Sequence, residues 1–296
     1  KYACSAGVAP PDSEYIEYIN LDVHDNGTVD FDHGFYQHGN HILIENSRIY
    51  RNAGWGITNS GGNVAGSSYN IYRNNLIYNN GRMGRGPGIG IHASYSASGT
   101  PSLNNLDYNN ILWGNKTGIV TNNKAHGTKI YNNTVYGNNV GIEVSGAFWG
   151  GSQDTIVKNN ISYGNGGAQQ IVDTGLRTIQ SNNLTTNPQF VNAASQDFHL
   201  LSTSPAINAG MSLSEVPQDF ECTPRPQGSG WDIGADELGP RGSSCGGPPS
   251  LPGDLNGDGV RNLLDVRWLI EMLVGSRAKT PAADLDRDGD VDLADC

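Results

Sequence analysis

Long apolar runs are absent, and none approaches the ~20 residues needed to span a bilayer. Charge is scarce as well, at 16% of residues. What there is leans acidic, with 18 Lys and Arg against 29 Asp and Glu and a net charge of −11. Nucleic acid and anionic membranes are excluded as partners, because both require a basic face. Cysteine is limited to four residues, Cys4, Cys222, Cys245 and Cys296, with no CxxC pair of the kind that holds a structural metal. Such usage implies an oxidising compartment and leaves three disulfide connectivities open. No signal-peptide pattern is present, so Lys1 is expected to follow a processed N terminus. Helical periodicity is missing from most of the chain, while glycine is abundant at 40 residues.

What the chain does contain is a repeat. An Asn is followed four residues later by an aromatic or His and two further on by a second Asn, as in Asn20, His24, Asn26 and Asn46, Tyr50, Asn52. The unit returns at Asn74, Asn109, Asn132 and Asn159, and Asn182 opens a seventh copy that lacks the aromatic. In phase with it runs a Gly-apolar strand: Gly34-Phe35, Gly56-Ile57, Gly90-Ile91, Gly118-Ile119 and Gly141-Ile142. Coils of 22 to 35 residues with short apolar strands predict an all-β solenoid, the right-handed parallel β-helix, whose strands stack about 4.8 Å apart. Equivalent Asn side chains are expected to stack as an internal amide ladder. Tyr50, Tyr78, Trp113, Tyr136 and Tyr163 form an aromatic column, read as stacked core rings rather than a sugar-binding surface.

The boundaries follow from composition. Residues 1–13 form an N-terminal segment and 14–238 the solenoid. A Pro/Gly/Ser linker spans 239–253 and a small module 254–296. From Asp197 through Pro205 and Gly210 to Asp232, Asp236 and Glu237, the closing segment resembles the end of many secreted bacterial β-helix proteins. That resemblance covers roughly residues 14 to 237. Polysaccharide lyases, hydrolases and epimerases belong to that group, as do proteins without known activity, so fold alone leaves function open.

The last 43 residues carry one oxygen-rich loop twice, 30 residues apart. The first loop presents Asp254, Asn256, Asp258, Val260, Asn262 and Asp265; the second presents Asp284, Asp286, Asp288, Asp290, Asp292 and Asp295. Gly259 and Gly289 provide the sharp turn at position six of each loop. This donor set suits a hard cation with six or seven oxygen ligands, and two Ca2+ sites are expected. Asp in place of a final bidentate Glu, the tandem spacing and a helix over Val266–Val274 resemble the dockerin module of secreted bacterial proteins. The resemblance implies a calcium-loaded plug that docks into a cohesin-like receptor, and an extracellular or cell-surface location. The chain stops at Cys296, where the helix after the second loop would begin, so half of the docking surface is expected to be missing.

Alternation along the strands turns Tyr36, Thr58, His92, Val120 and Glu143 outward, with His38, Ser60, Ser94, Asn122 and Ser145 beside them. The candidate catalytic residues are Tyr36, His38, His92, Arg85 and Glu143. A lyase or C5-epimerase needs a base for the sugar C5 proton and a cation for the adjacent carboxylate. Tyr36 or His92 suits the first role and Arg85, on a Gly-rich insertion with Arg82, the second. No paired carboxylates fall on adjacent coils as a glycoside hydrolase requires. Phe31-Asp32-His33, one coil before Trp55, resembles a stretch of mannuronan C5-epimerases and would make Asp32 and His33 catalytic; otherwise Asp32 bonds a turn and His33 is solvated. Of five Asn-x-Ser/Thr triplets, the one at Asn26 is the best glycosylation signal.

The residues before Glu14 are too short and too rich in Pro and Gly to cap the first coil, and an open strand edge invites association. The main functional expectation is accordingly an extracellular rod that associates head-to-tail with itself, as a filament, or plugs into a scaffold. Cys4 and Cys296 would sit near opposite ends of a rod about 34 Å long. The alternative is a carbohydrate-active enzyme, a lyase or epimerase on an acidic polysaccharide, tethered by the same module.

Overall fold

The computed structural model describes residues 6–9, 13–60, 67–81, 88–95, 100–147, 150–167, 170–240, 263–275 and 283. Parallel strands one coil apart build three sheets of seven, seven and six strands, and the expected right-handed parallel β-helix is what they form. The broad sheet takes Ala6–Val8, His33–Gln37, Ile57–Ser60, Ile89–Tyr95, Thr117–Thr121, Val140–Val144 and Ile171–Asp173. A second sheet runs from Glu17–Ile19 to Ile179–Ser181, and a third from Asp22–His24 to Ile161–Tyr163, in strands of three residues. The stack takes in Ala6–Val8, which lies inside the segment expected to precede the coils.

Each sheet contributes one inward column. Phe35, Ile57, Ile91, Ile119 and Ile142 come from the broad sheet and are fully buried; Ile49, Ile77, Leu112 and Val135 do the same in the third. Every such side chain stabilises the rod by about 1.5–3 kcal/mol. The glycine ahead of each inward residue is explained by close approach. A Cβ on Gly56 would lie 2.6 Å from the carbonyl oxygen of Gly90 on the next coil. Only hydrogen fits there.

The asparagines divide into two kinds. Asn74, Asn109, Asn132 and Asn159 turn the corner between the second and third sheets with φ of 55°, 51°, 48° and 56°. Among non-glycine residues Asn adopts this left-handed region most readily. The ladder is made by other asparagines. One column runs Asn26, Asn52, Asn80, Asn115, Asn138 and Asn165, the closing Asn of each repeat, with amide-to-amide bonds of 2.9–3.2 Å. A second runs Asn75, Asn110, Asn133, Asn160 and Asn183, the residue after each corner, with bonds of 3.0 Å throughout. Asn26 is 2% exposed and donates to Asn52, so it is a ladder rung and not a glycan acceptor.

The aromatic column also departs from expectation. Strands of three residues point out, in, out, and the rings occupy the last outward position. His24, Tyr50, Tyr78 and Trp113 stack outside the rod at 4.8, 4.7 and 4.3 Å with interplanar angles of 6°, 2° and 6°. They are half-buried surface rings whose faces are covered by one another.

The closing segment runs along the outside of the rod, tied down by the corner asparagines. Asn109 donates to the carbonyl of Gln218, Asn132 to those of Asp232 and Gly234, Asn159 to Met211 and Asn182 to Ala209. Within the segment, buried Arg225 pairs with Glu237 at 2.8 Å. Beyond the linker, the helix Leu263–Leu273 begins three residues earlier than expected. It meets the first coil of its own chain: the indole N–H of Trp268 donates to Glu17 Oε1 and Arg267 to the Tyr15 carbonyl, each at 2.5 Å. That edge is therefore approached without a second molecule. Cys222 is buried, whereas Cys4, Cys245 and Cys296 lie outside the described residues.

Candidate functional site

The broad sheet is the one whose strands reach five residues and more, and its outer face gathers the titratable side chains. Register aligns Tyr36 with Thr58, Thr58 with His92, His92 with Val120 and Val120 with Glu143, as alternation requires. The neighbouring column does not hold. A bulge after His92 sets Ser94 opposite Thr121 and Tyr95 opposite Ser60, so Asn122 moves away from Ser94. The same bulge frees the Asn122 amide for His92, whose Nε2 lies 2.8 Å from Asn122 Oδ1.

Tyr36, His38 and His92 are brought into one aromatic cluster. The rings of Tyr36 and His38 meet edge-to-face at 4.5 Å, His33 stacks on Tyr36 at 5.4 Å and on Trp55 at 4.8 Å, and Trp55 meets His92 edge-on at 5.0 Å. His33 accepts the Trp55 backbone N–H at Nδ1 (3.0 Å), which places its own proton on Nε2. Burial pushes His33 down to about 4, helped by the nearby charge of His92, and burial alone takes His92 down to about 4. Both imidazoles are neutral near pH 7. His92 is 2% exposed, which places it behind the face rather than on it, whereas Tyr36 is half-buried and reaches solvent.

Glu143 is not part of this cluster. Four strand steps separate it from Tyr36, about 19 Å, too far for the two to act on one bond. Burial raises its carboxyl above the usual range. Arg85 and Arg82 lie outside the described residues. Asp32 accepts the backbone N–H groups of Thr28 and Val29 at 2.7 and 3.0 Å, so it is the turn residue of the two alternatives; His33, however, is buried and stacked, not solvated. Sequence reasoning passed over Trp55 and the pairing of Asn122 with His92. Trp55 carried a signal, since 22 residues from His33 is one coil.

The helix Leu263–Leu273 begins within the last positions of the first oxygen-rich loop, so Asp265, the last donor expected there, lies in the first helical turn. The remaining loop ligands lie outside the described residues. Among the described residues no cluster of three or more His, Cys, Asp or Glu is placed to hold a metal ion.

Comparison with known proteins agrees. Residues 2–148 match the right handed beta helix region family, and residues 252–296 match the type I dockerin domain. The protein is a β-helix with a C-terminal dockerin. The β-helix of this dockerin protein resembles the crystal structure of pectate lyase Pel9A at a TM-score of 0.53 and 17% identity, over 76% of this chain and 60% of that one. The chain thus spans about three fifths of the lyase, and the likeness is one of fold. No curated protein sequence matches the β-helix–dockerin chain. Type I dockerin domains bind calcium and cohesin partners, and proteins that carry them are typically extracellular or attached to the cell surface. No helix among the described residues is long and apolar enough to cross a membrane.

Proposed function

We propose that the protein is a dockerin-tethered carbohydrate-active enzyme that abstracts the C5 proton of an acidic polysaccharide, as a lyase or an epimerase. The observation that carries this reading is the cluster on the broad sheet, in which a solvent-facing Tyr36 is held by His38 and backed by two neutral imidazoles. Tyr36 is the base in this reading and takes the C5 proton at its side-chain oxygen; His38 and His33 fix the ring. Arg85 neutralises the uronate carboxylate, so that the electron pair left at C5 delocalises into it. In a lyase that pair then expels the C4 oxygen, and in an epimerase C5 regains a proton from the opposite face. Calcium held by Asp254, Asn256, Asp258, Val260, Asn262 and Asp265, and at a second site by Asp284, Asp286, Asp288, Asp290, Asp292 and Asp295, orders the dockerin for a cohesin-like receptor. The assembly reading has less support, since the helix of the dockerin already meets the first coil of its own chain.

The test is incubation of the full chain with calcium and a panel of acidic polysaccharides in D2O. Both chemistries are expected to put deuterium at C5, and a lyase also gives an ultraviolet-absorbing unsaturated end. Tyr36→Phe is expected to lower the rate at least about 100-fold, the usual worth of a positioned base. Failure of every substrate to exchange would overturn the enzymatic reading. Calcium-dependent filaments in electron micrographs of such an inert protein would restore the rod.

A further inference from the structure

A second concave site lies on the third sheet, on another face of the rod from Tyr36. It is a groove of about 390 Å3 between the outer face of that sheet and the closing segment, within the range that holds a mono- or disaccharide. One wall is apolar: Leu76 and Ile111 come from the sheet and Phe198 and Phe220 from the closing segment, with the edges of Tyr78 and Trp113 between them. The ring faces are not open to a sugar. Trp113 is covered by Tyr78 on one side, at 4.3 Å, and by Phe198, tilted at 48° and 5.5 Å away, on the other.

The polar lining includes His199, Glu221 and Asp236, together with Gln196 and Arg48. His199 lies between two carboxylates, with Nδ1 2.5 Å from Asp197 and Nε2 3.1 Å from Glu221. Burial alone would lower its pKa, but Asp197, Asp236 and Glu221 outweigh burial and raise it. Asp236 receives the Leu200 backbone N–H at 2.8 Å, and burial lifts it to about 6. Arg48 is engaged by Asp22 at 2.5 Å. Even with His199 protonated, Arg48 and His199 set two positive charges against four carboxylates, Asp22, Asp197, Glu221 and Asp236, so the balance of the groove is negative.

A lining that combines apolar side chains with directional oxygen acceptors suits a ligand with a C–H face and an O–H edge. The negative balance rejects a uronate or a phosphate. We propose that this groove is a binding subsite for a neutral saccharide, whose hydroxyls donate to Glu221 and Asp236 while its ring packs against Leu76, Phe198 and Phe220. The subsite is independent of the proposed C5 chemistry and selects the opposite charge class of sugar. Together the two would let the protein hold an uncharged glycan, or an uncharged branch, while acting on an acidic one.

The five tryptophans provide the test, because each indole N–H gives its own signal in a nitrogen–proton correlation spectrum of the calcium-loaded full chain. Cellobiose, xylobiose, mannobiose and galactobiose are titrated in turn, with digalacturonate as the charged control. At least one neutral disaccharide is expected to move the Trp113 signal saturably and leave Trp55, in the Tyr36 cluster, in place; digalacturonate is expected to leave Trp113 in place. Glu221→Ala should weaken that binding about tenfold and Glu221→Gln, which keeps one acceptor, by less. Unmoved signals from the other tryptophans show that each variant keeps its fold. The proposal is overturned if no neutral disaccharide moves Trp113 at tens of millimolar, if Trp55 alone responds, if digalacturonate binds better, or if Glu221→Ala binds as tightly as the parent.

Discussion

Replacing Asn110 by alanine strikes an inner rung of the second amide ladder. Its Nδ2 donates to the Tyr72 carbonyl at 2.7 Å and to Asn133 Oδ1 at 3.0 Å, while its Oδ1 accepts the backbone N–H and the Nδ2 of Asn75 at 3.1 and 3.0 Å. The residue is fully buried, so water cannot replace these bonds. Truncation leaves the Asn75 N–H, one Asn75 amide hydrogen and an acceptor site on Tyr72 unmatched. At about 1–3 kcal/mol for each buried orphan, the loss comes to roughly 3–9 kcal/mol, a large share of the ~5–15 kcal/mol that holds a typical domain. Asn183, the last rung, is a built-in control. It accepts the same pair of bonds from Asn160 but is half-buried and has no rung beyond it, so water can take over and Asn183→Ala should cost about 1 kcal/mol. The Nδ2 groups of Asn75, Asn110, Asn133 and Asn160 each donate to the rung on the next coil, so Asn110→Asp, which can only accept, should cost more than alanine. Urea unfolding followed by circular dichroism measures all three. Equal losses at the two rungs, or a loss under about 1 kcal/mol at Asn110, would refute the ladder as a source of stability.

Asp107 sits in the inward column of the second sheet, fully buried and with no hydrogen-bond partner for either oxygen, and burial raises its pKa well above the usual carboxylate range. The folded state therefore holds this proton more tightly than the unfolded one, and stability falls as pH rises from about 4 toward the folded pKa. Asp107→Leu should stabilise the rod by about 1–3 kcal/mol at neutral pH and by less at pH about 4, read from thermal midpoints at the two pH values. Arg225→Met leaves Glu237 as a buried carboxylate without its cation, and a loss of about 3–5 kcal/mol is expected in the same unfolding assay. Chelation of calcium should unfold the dockerin and abolish cohesin-type docking while the β-helix keeps its melting transition, because the loop ligands are confined to residues 254–295. A single shared transition that shifts with chelator would contradict the independence of the two parts.

Much of the architecture was legible because a solenoid repeats its physics at fixed separations. The Gly-apolar doublets marked the inward column, and Gly56 shows why glycine precedes it: no Cβ fits beside the next coil. The dockerin was legible for the same reason, since the spacing of oxygen side chains within each loop is a local pattern. Period alone does not say on which side of a corner a residue lies. Asn74 and Asn75 are adjacent, yet one turns the chain and the other forms the ladder. The aromatic column reads as core from its spacing alone, whereas strand length, here three residues with rings in the outward third place, decides the face.

The sequence by itself determined the parallel solenoid, the amide ladders and the calcium-binding dockerin, because each depends on residues spaced by one coil or one loop. Tertiary structure decided the rest. The bulge after His92 carries Asn122 to its ring, and the closing segment brings Glu221 and Asp236 against Tyr78 and Trp113 from over a hundred residues away in sequence. The dockerin helix reaches Glu17 across 251 residues. Contacts made by packing between distant segments depend on shape complementarity that no local pattern records, and the candidate sites of this protein are built from such contacts.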